Sequence, residues 1–469
     1  MALNVAQVLR ALETLEGRAN DLDATARANI RAELDVLRAA SIALADDYDS
    51  LITVEPSSPA EAGTGEIAFM ASSFRRLAHW KRGDLQSFHA MRPPTGEAGQ
   101  NVSAGLLAFE RAMEAAVEFQ QLRLGVAAKL AREARFLEGR TRHPAPTHVF
   151  GTVVLAEVLH EQGEVVEAEN LVRDHLQQVR NRGCAEVAIR LYPLLARIAL
   201  HGRNGDLAMF LVRDGLSLGE VRGWDRLVAV CLREWVELLV HAGRLDEARM
   251  RHEEMEMRWC ADDEVHDSGV GMALLRARCR VKVAGGQPLE AVATLTRLWQ
   301  IAVASGDLYL SVQLQVHAAE ALVACGRKAE AIEVLLAALE IGAGAGLHQS
   351  FVGAGPAVVR LLEDASDALA GDAKGRLFLQ PYVSSMLGSC REARHDIRTA
   401  RGVELRGPLS CREHTILKLM RYGSSNKRIA QELGIAPETV KSHAKRIFIK
   451  LGAQTRVEAV TRAASLSLF

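Results

Sequence analysis

Apolar residues recur every three or four positions along most of the chain. Between residues 308 and 340, Leu308, Val312, Val316, Ala319 and Val323 make one stripe, and Ile332, Leu335, Leu336 and Leu339 make the next. This period predicts amphipathic helices laid side by side. Glycines punctuate the pattern at Gly83, Gly125, Gly163, Gly202, Gly243, Gly286 and Gly326, spaced 38 to 43 residues apart. Four of them carry alanine five residues on (Ala168, Ala248, Ala291 and Ala331), in the phrases EQGEVVEA, HAGRLDEA, AGGQPLEA and ACGRKAEA; Gly202 has Ala208 at six. Glycine permits a tight turn, and the small alanine lets the second helix lie close to the first. A single hairpin cannot bury its apolar face, so such units stack into a solenoid.

The pattern changes at Leu409. Ser410 and Glu413 have the spacing of a capping box, and Ile416, Leu417, Leu419 and Met420 give the apolar face of a first short helix that Gly423 ends. A second helix is expected from Asn426 to Leu433 on Ile429, Ala430 and Leu433. Gly434-Ile435-Ala436 makes a turn, and Pro437 suits the first position of a third helix running to Leu451. Val440, Ile447, Phe448 and Leu451 face its core, and a final helix from about Gln454 to Leu466 carries Val457, Val460 and Ala464 on one stripe. Two helices joined by a short glycine-containing turn have the form of a helix-turn-helix.

The phrases L-S-x-R-E, G-S-S-N-K-x-I-A, T-V-K-S-H, K-L-G and R-V-E-A follow one another between residues 409 and 469. This stretch resembles the LuxR/FixJ-type helix-turn-helix of bacterial transcription regulators. The resemblance implies that the third helix enters the major groove of double-stranded DNA, with Lys441, Ser442 and Lys445 at base edges. It implies phosphate contacts from Asn426, Lys427, Thr439, His443, Arg446, Lys450 and Arg456. It also implies a homodimer on DNA joined by the fourth helix through Val457, Val460, Thr461 and Ala464. Three positions depart from the family pattern. Ala436 stands where serine usually caps the third helix, Arg428 replaces the usual glutamate of N-K-E-I-A, and Thr415 replaces another acidic residue.

The repeats, with their G-x-x-x-E-A turn, resemble the tetratricopeptide-type region of MalT-like regulators, which end in this same helix-turn-helix. Their period exceeds the 34 residues of the standard tetratricopeptide. MalT-like regulators begin with a nucleotide-binding domain, whereas no G-x-x-x-x-G-K-[ST] occurs in this chain. ATP binding is therefore not carried over, and no cofactor is expected. Either the protein works without nucleotide, or the sequence represents the back half of a longer ancestor.

Composition sharpens the picture. Aromatics make up 5% of the 469 residues against 49% hydrophobic overall, which favours helix packing over sheets. Residues 409–469 hold 11 Lys and Arg against 4 Asp and Glu, while the whole chain has a net charge of −1. A basic end on an acidic body is the footprint of a phosphate binder. The seven cysteines lack any C-x-x-C pair, which suits reduced thiols in the cytoplasm. The opening residues form an amphipathic helix unlike a secretory signal, and no apolar run is long enough to span a membrane.

The expected organisation is all-α: a helical segment over 1–65, tetratricopeptide-like repeats over 66–365, a linker with some helix over 366–408, and the DNA-binding module over 409–469. Arg391, Arg394 and Arg398 of the linker read as a solvated face. The run from His252 to His266 offers His252, Cys260, Asp262, Asp263, Glu264 and His266, but without ligand spacing, so an acidic loop is expected and no metal. The tryptophans are expected to fill gaps between helices. No catalytic constellation emerges. The function expected is a DNA-binding regulator, not an enzyme, whose repeats sense a small-molecule inducer or a regulatory protein, with RNA polymerase as a further candidate partner. The competing reading is a protein-interaction scaffold that uses its DNA module as a tether.

Overall fold

The computed structural model describes residues 5–19, 23–47, 50–51, 66–91, 102–141, 145–202, 204–259, 269–370, 376–399 and 409–465. Among these residues every regular element is a helix. The proline- and glycine-rich loops expected at 55–66 and 92–101 fall almost wholly outside the described residues, as do Cys260, Asp262, Asp263, Glu264 and His266. The described residues form no group of histidine, cysteine or acidic side chains able to hold a metal ion. No described helix is long and apolar enough to cross a membrane.

Helices α1 (Val5–Ala19) and α2 (Ala24–Leu44) pair at the N-terminal end. The repeats follow as α3 (Glu66–Lys81), α4 (Leu85–Ala90), α5 (Ala104–Gln120), α6 (Leu124–Glu138), α7 (Phe150–Glu161), α8 (Val165–Val172), α9 (Leu176–Arg182) and α10 (Ala185–His201). They continue through α11 (Gly205–Arg222), α12 (Asp225–His241), α13 (Leu245–Arg258), α14 (Gly269–Ala284), α15 (Pro288–Ala304), α16 (Leu308–Ala324) and α17 (Lys328–Ala345). Successive helices pack as hairpins, and alternate helices such as α10 with α12 and α12 with α14 stack along the solenoid.

The glycine turns have a common construction. At Gly163, φ is +91°. Its N–H bonds the His160 carbonyl at 3.0 Å, and the Glu164 N–H bonds the Leu159 carbonyl at 2.9 Å. This pair of bonds ends one helix in a Schellman motif. It recurs at Gly83, Gly243, Gly286 and Gly326, and also at Gly306. The alanines five residues on are sealed in the core, with Ala168, Ala248 and Ala331 fully buried and Ala291 at 1% exposure. Gly125 is different: it lies inside α6, and the left-handed residue of that turn is Leu122, with φ +59°. A side chain there costs about 1–2 kcal/mol, but Leu122 is itself buried. Gly202 closes α10 with φ −72°, so it too is no left-handed turn. In the last hairpin Val323 is 41% exposed, and Leu322 occupies the core position instead.

The solenoid winds far enough for late repeats to meet early ones. Glu161, at the end of α7, accepts from Tyr309 Oη at 2.7 Å and from the Ser350 N–H and Oγ at 3.0 and 2.9 Å. Phe119 and Tyr309 pack with ring centroids 4.6 Å apart and planes tilted by 55°, and the Gln120 amide donates to Asp307. The tryptophans serve packing. Trp80 is buried and donates to Gln120, Trp224 donates to the Leu44 carbonyl, and Trp299 donates to Ser311.

The chain continues through α18 (Gln349–Val352), α19 (Pro356–Ala370) and α20 (Gln380–Thr399). Helix α20 covers part of the expected linker, and Leu379, Val383 and Met386 bury themselves completely beside α19. The side chains of Arg391, Arg394 and Arg398 are outside the described residues.

Candidate nucleic-acid interface

Four helices close the chain: α21 (Cys411–Arg421), α22 (Asn426–Leu433), α23 (Pro437–Leu451) and α24 (Arg456–Ser465). Ser410 caps α21 with both bonds of the capping box present. Glu413 then takes a second partner, Lys450 Nζ at 2.7 Å. Burial raises the Glu413 carboxyl, but Lys450 and the Ser410 donors outweigh it and hold the group below its usual range. Ser425 caps α22, and Gly434 ends it with φ +62°. Ala436 begins α23 without a side-chain cap, and Pro437 fills the first turn.

Ile416, Leu417, Ile429, Val440, Ile447 and Leu451 form the module's core, joined by Ala444 and, from α24, by Ala459 and Ala463. Phe448 and Val460 are half-buried against it. The side chains of Val457, Thr461 and Ala464 lie outside the described residues, so of the expected dimer stripe only Val460 is placed.

Lys441, Ser442 and Lys445 stand exposed on α23, with Thr439 and Arg446 exposed beside them. Lys441 pairs with Glu438 at 2.7 Å, and the Ser442 hydroxyl donates to the Glu438 carbonyl at 3.1 Å. Both ties are local and exposed, so neither holds its side chain firmly. Lys427 is exposed, Asn426 half-buried, and His443 half-buried with Nδ1 lacking a partner. Two residues expected at phosphates have other work in this conformation. Lys450 holds Glu413, and Arg456 donates to the carbonyls of Met420 and Ser424 at 3.0 and 2.6 Å, closing the end of α21.

Sequence reasoning did not foresee a second face. Helix α21 is buried on nearly every side because it lies between the module's core and the solenoid. Thr415 is 3% exposed and Lys418 7%. From Arg412 through Thr415 and Lys418 to Arg421 and Tyr422, a helical stripe meets α8, the α10–α11 turn and α11. Arg412 lies 3.5 Å from Asp206, the Thr415 hydroxyl 3.4 Å from the Asn204 side chain, and Arg421 3.0 Å from Glu169. Tyr422 donates to the same Glu169 at 3.4 Å, and burial pushes its hydroxyl above the usual range. From α22, Arg428 pairs with Asp214 and lies over the Phe210 ring at 5.7 Å. Asp214 is 1% exposed and also accepts from Tyr192 at 3.0 Å. Two of the three departures from the helix-turn-helix pattern, Thr415 and Arg428, are therefore contact residues of this face. That coincidence was the available signal.

Residues 77–368 match the family described as the MalT-like TPR region, and residues 407–463 match bacterial regulatory proteins of the luxR family. The chain belongs to the MalT-like TPR family. Among curated relatives, Fimbriae Z protein of Salmonella typhimurium is 41% identical over 15% of this chain and 34% of its own length. The probable transcriptional regulatory protein NarL of Mycobacterium tuberculosis is 37% identical over 19% of this chain and 39% of its own. The HTH-type transcriptional regulator MalT of Vibrio campbellii is 42% identical over 13% of this chain and 6% of its own length. The chain thus spans between about a third and two fifths of the length of the first two of these and much less of the third. A solved structure, Rap protein complexed with competence and sporulation factor, superposes with a TM-score of 0.46 at 14% identity over 78% of this chain and 98% of that one. A MalT-like TPR region and a luxR-type module thus stand in order in one chain.

Proposed function

We propose that α23 reads operator DNA in the major groove and that the repeats control the module by holding it against their own surface until an effector or partner binds. Lys441, Ser442 and Lys445 contact base edges. Asn426, Lys427, Thr439, His443 and Arg446 fix the register on phosphates, joined by Lys450 and Arg456 if their internal ties open. A dimer through α24 reads paired half-sites. One observation carries this reading: the module is clamped through α21 and Arg428 while its reading residues stay exposed. Docking pairs Arg412, Arg421 and Arg428 with Asp206, Glu169 and Asp214, which takes these cations away from a phosphate backbone. An effector shifts the balance only by binding the docked and free states differently.

The test is selection of bound sequences from a random DNA pool with the intact chain and with a Lys441→Ala/Lys445→Ala variant. A two-half-site motif found by the former and lost by the latter supports the reading. An identical motif from both chains refutes the assignment of these lysines.

A further inference from the structure

Two cavities open inside the turn of the solenoid, of about 720 and 280 Å³. They share His160, Glu161, Arg197, Arg233, Arg276 and Gln313 in their walls. The three arginines come from α10, α12 and α14, one from each of three successive inner helices.

In the walls of the larger cavity the arginines and carboxylates are equal in number but are not paired one to one. Arg197 and Arg233 both donate to one carboxylate, Glu234, at 2.6 Å each. Glu237 is taken by Arg280 at 2.7 Å, and Glu161 by Tyr309 and Ser350. Arg276 donates only to the Gln313 amide oxygen, at 3.1 Å, and its Nε is buried with no acceptor. Among the described residues no carboxylate lies within ion-pairing distance of it. The neighbouring imidazoles add no further positive charge: burial, with Arg197 beside one and Arg280 beside the other, depresses both His160 and His317 to about 3. Burial, with Arg233 and Arg197 alongside, lowers Arg276 itself to about 9. Glu234 and Glu237 act on this half-buried cation only from beyond ion-pairing distance, so it lacks the direct partner that would offset its loss of water. Its Nε–H has no acceptor and its Nη2 holds only the Gln313 amide; turned toward the cavity, the two form the fork that takes a carboxylate or phosphate edge-on.

We infer that Arg276, with Arg197 and Arg233, forms the binding site for the oxyanion group of a small organic effector, a carboxylate or a phosphate. This rests on the reading of the repeats as a sensor and names the chemistry sensed. The cavity is of a size that encloses small ligands. It also lies next to the docking face. Arg197 and the turn that holds Thr415 and Lys418 belong to one helix end, and His201 and Gly202 line the larger cavity while Gly202 lies beside the Lys418 ammonium.

The experiment measures melting temperature of the full chain in inorganic phosphate, in succinate and in chloride at matched ionic strength. It compares the wild type with Arg276→Gln, and with Arg244→Gln on the exposed surface as control. The expected result is a saturable rise in phosphate, in succinate or in both, absent in chloride. Arg276→Gln should weaken that response roughly tenfold or more, and Arg244→Gln should leave it intact. Whichever anion acts decides between the phosphate and carboxylate sources. Without any anion, Arg276→Gln should melt no lower than wild type, because it removes a desolvated charge that has no direct ion pair. Equal shifts in all three salts, an undiminished shift in Arg276→Gln, or a variant that simply melts lower would overturn the assignment. Operator selection reads the DNA module separately, so failure here leaves that result standing.

Discussion

Replacing Arg428 by glutamate restores the residue usual in the helix-turn-helix family and should release the module from the repeats. In the docked chain Arg428 is 27% exposed and its partner Asp214 is 1% exposed. Losing a hydrogen bond between charged groups costs about 1.5–3 kcal/mol. Facing two carboxylates at close range adds repulsion of up to about 4 kcal/mol near a protein surface. The new side chain can turn to solvent, so the lower part of the combined range applies, about 2 kcal/mol, or roughly 30-fold in the docked-to-free ratio. Asp214 keeps Tyr192 and Arg180 at 3.0 and 3.4 Å, so the repeats themselves should stay folded. Hydrogen exchange read by mass spectrometry reports the change. In Arg428→Glu, amides of residues 411–422 and 205–216 should exchange faster, while those of α14 to α17 stay as in wild type. Arg446→Glu, on the exposed face of α23, is the control and should change neither. Identical exchange in wild type and Arg428→Glu would refute the argument that this ion pair holds the module.

Two further outcomes are expected. Glu138 lies under Gly151 and Thr152, which donate to it at 3.1 Å each, yet burial raises its carboxyl to about 7 from an ordinary 4.5. Its folded-state pKa is the higher one, so its contribution is complete below about pH 4.5 and disappears as pH rises through 7. Melting curves should therefore show wild type losing stability relative to Glu138→Gln over that interval, and parallel curves would contradict the assignment. On operator DNA, Lys441→Ala and Lys445→Ala should each weaken specific binding by about 1–3 kcal/mol if they read bases. A loss equal on all sequences, with a salt slope lower by about one, would move them to the phosphates.

Much of this is legible in the sequence, for local reasons. Helix bounds at Asn426–Leu433 and Pro437–Leu451 are as expected because Ser425, Gly434, Pro437 and Gly452 mark them chemically. The repeat was visible because most of its turns need a left-handed residue and use glycine. It blurred where that rule failed. Leu122 takes the left-handed position itself, three residues before the glycine that marks the pattern. What remained hidden depends on residues far apart in sequence. Glu161 meets Tyr309 and Ser350 across 148 and 189 positions, and Arg428 meets Asp214 across 214. Periodicity places a residue on a face but does not say what that face meets. Thr415 and Lys418 stand outside the apolar set Ile416, Leu417, Leu419 and Met420, and only the docked arrangement accounts for their burial.

The same contact revises the meaning of the charge asymmetry. The module's excess of basic residues reads as a DNA footprint, yet Arg412, Arg421 and Arg428 spend their charge on Asp206, Glu169 and Asp214. Added salt then acts in two directions. It weakens phosphate binding through counter-ion release, with a log–log slope set by the number of phosphates neutralised. It also screens the half-exposed ion pairs of the docking face, which frees more of the module to bind. In wild type the second effect offsets part of the first. In Arg428→Glu the module is already free and only the first operates. Affinity for operator DNA, measured from about 50 to 200 mM salt, should therefore fall more steeply in Arg428→Glu than in wild type, although the variant's net charge is lower by two. A count of charges alone demands the opposite order. If wild type proves the steeper, the docking face does not compete with DNA, and the clamp seen on α21 positions the module without restraining it.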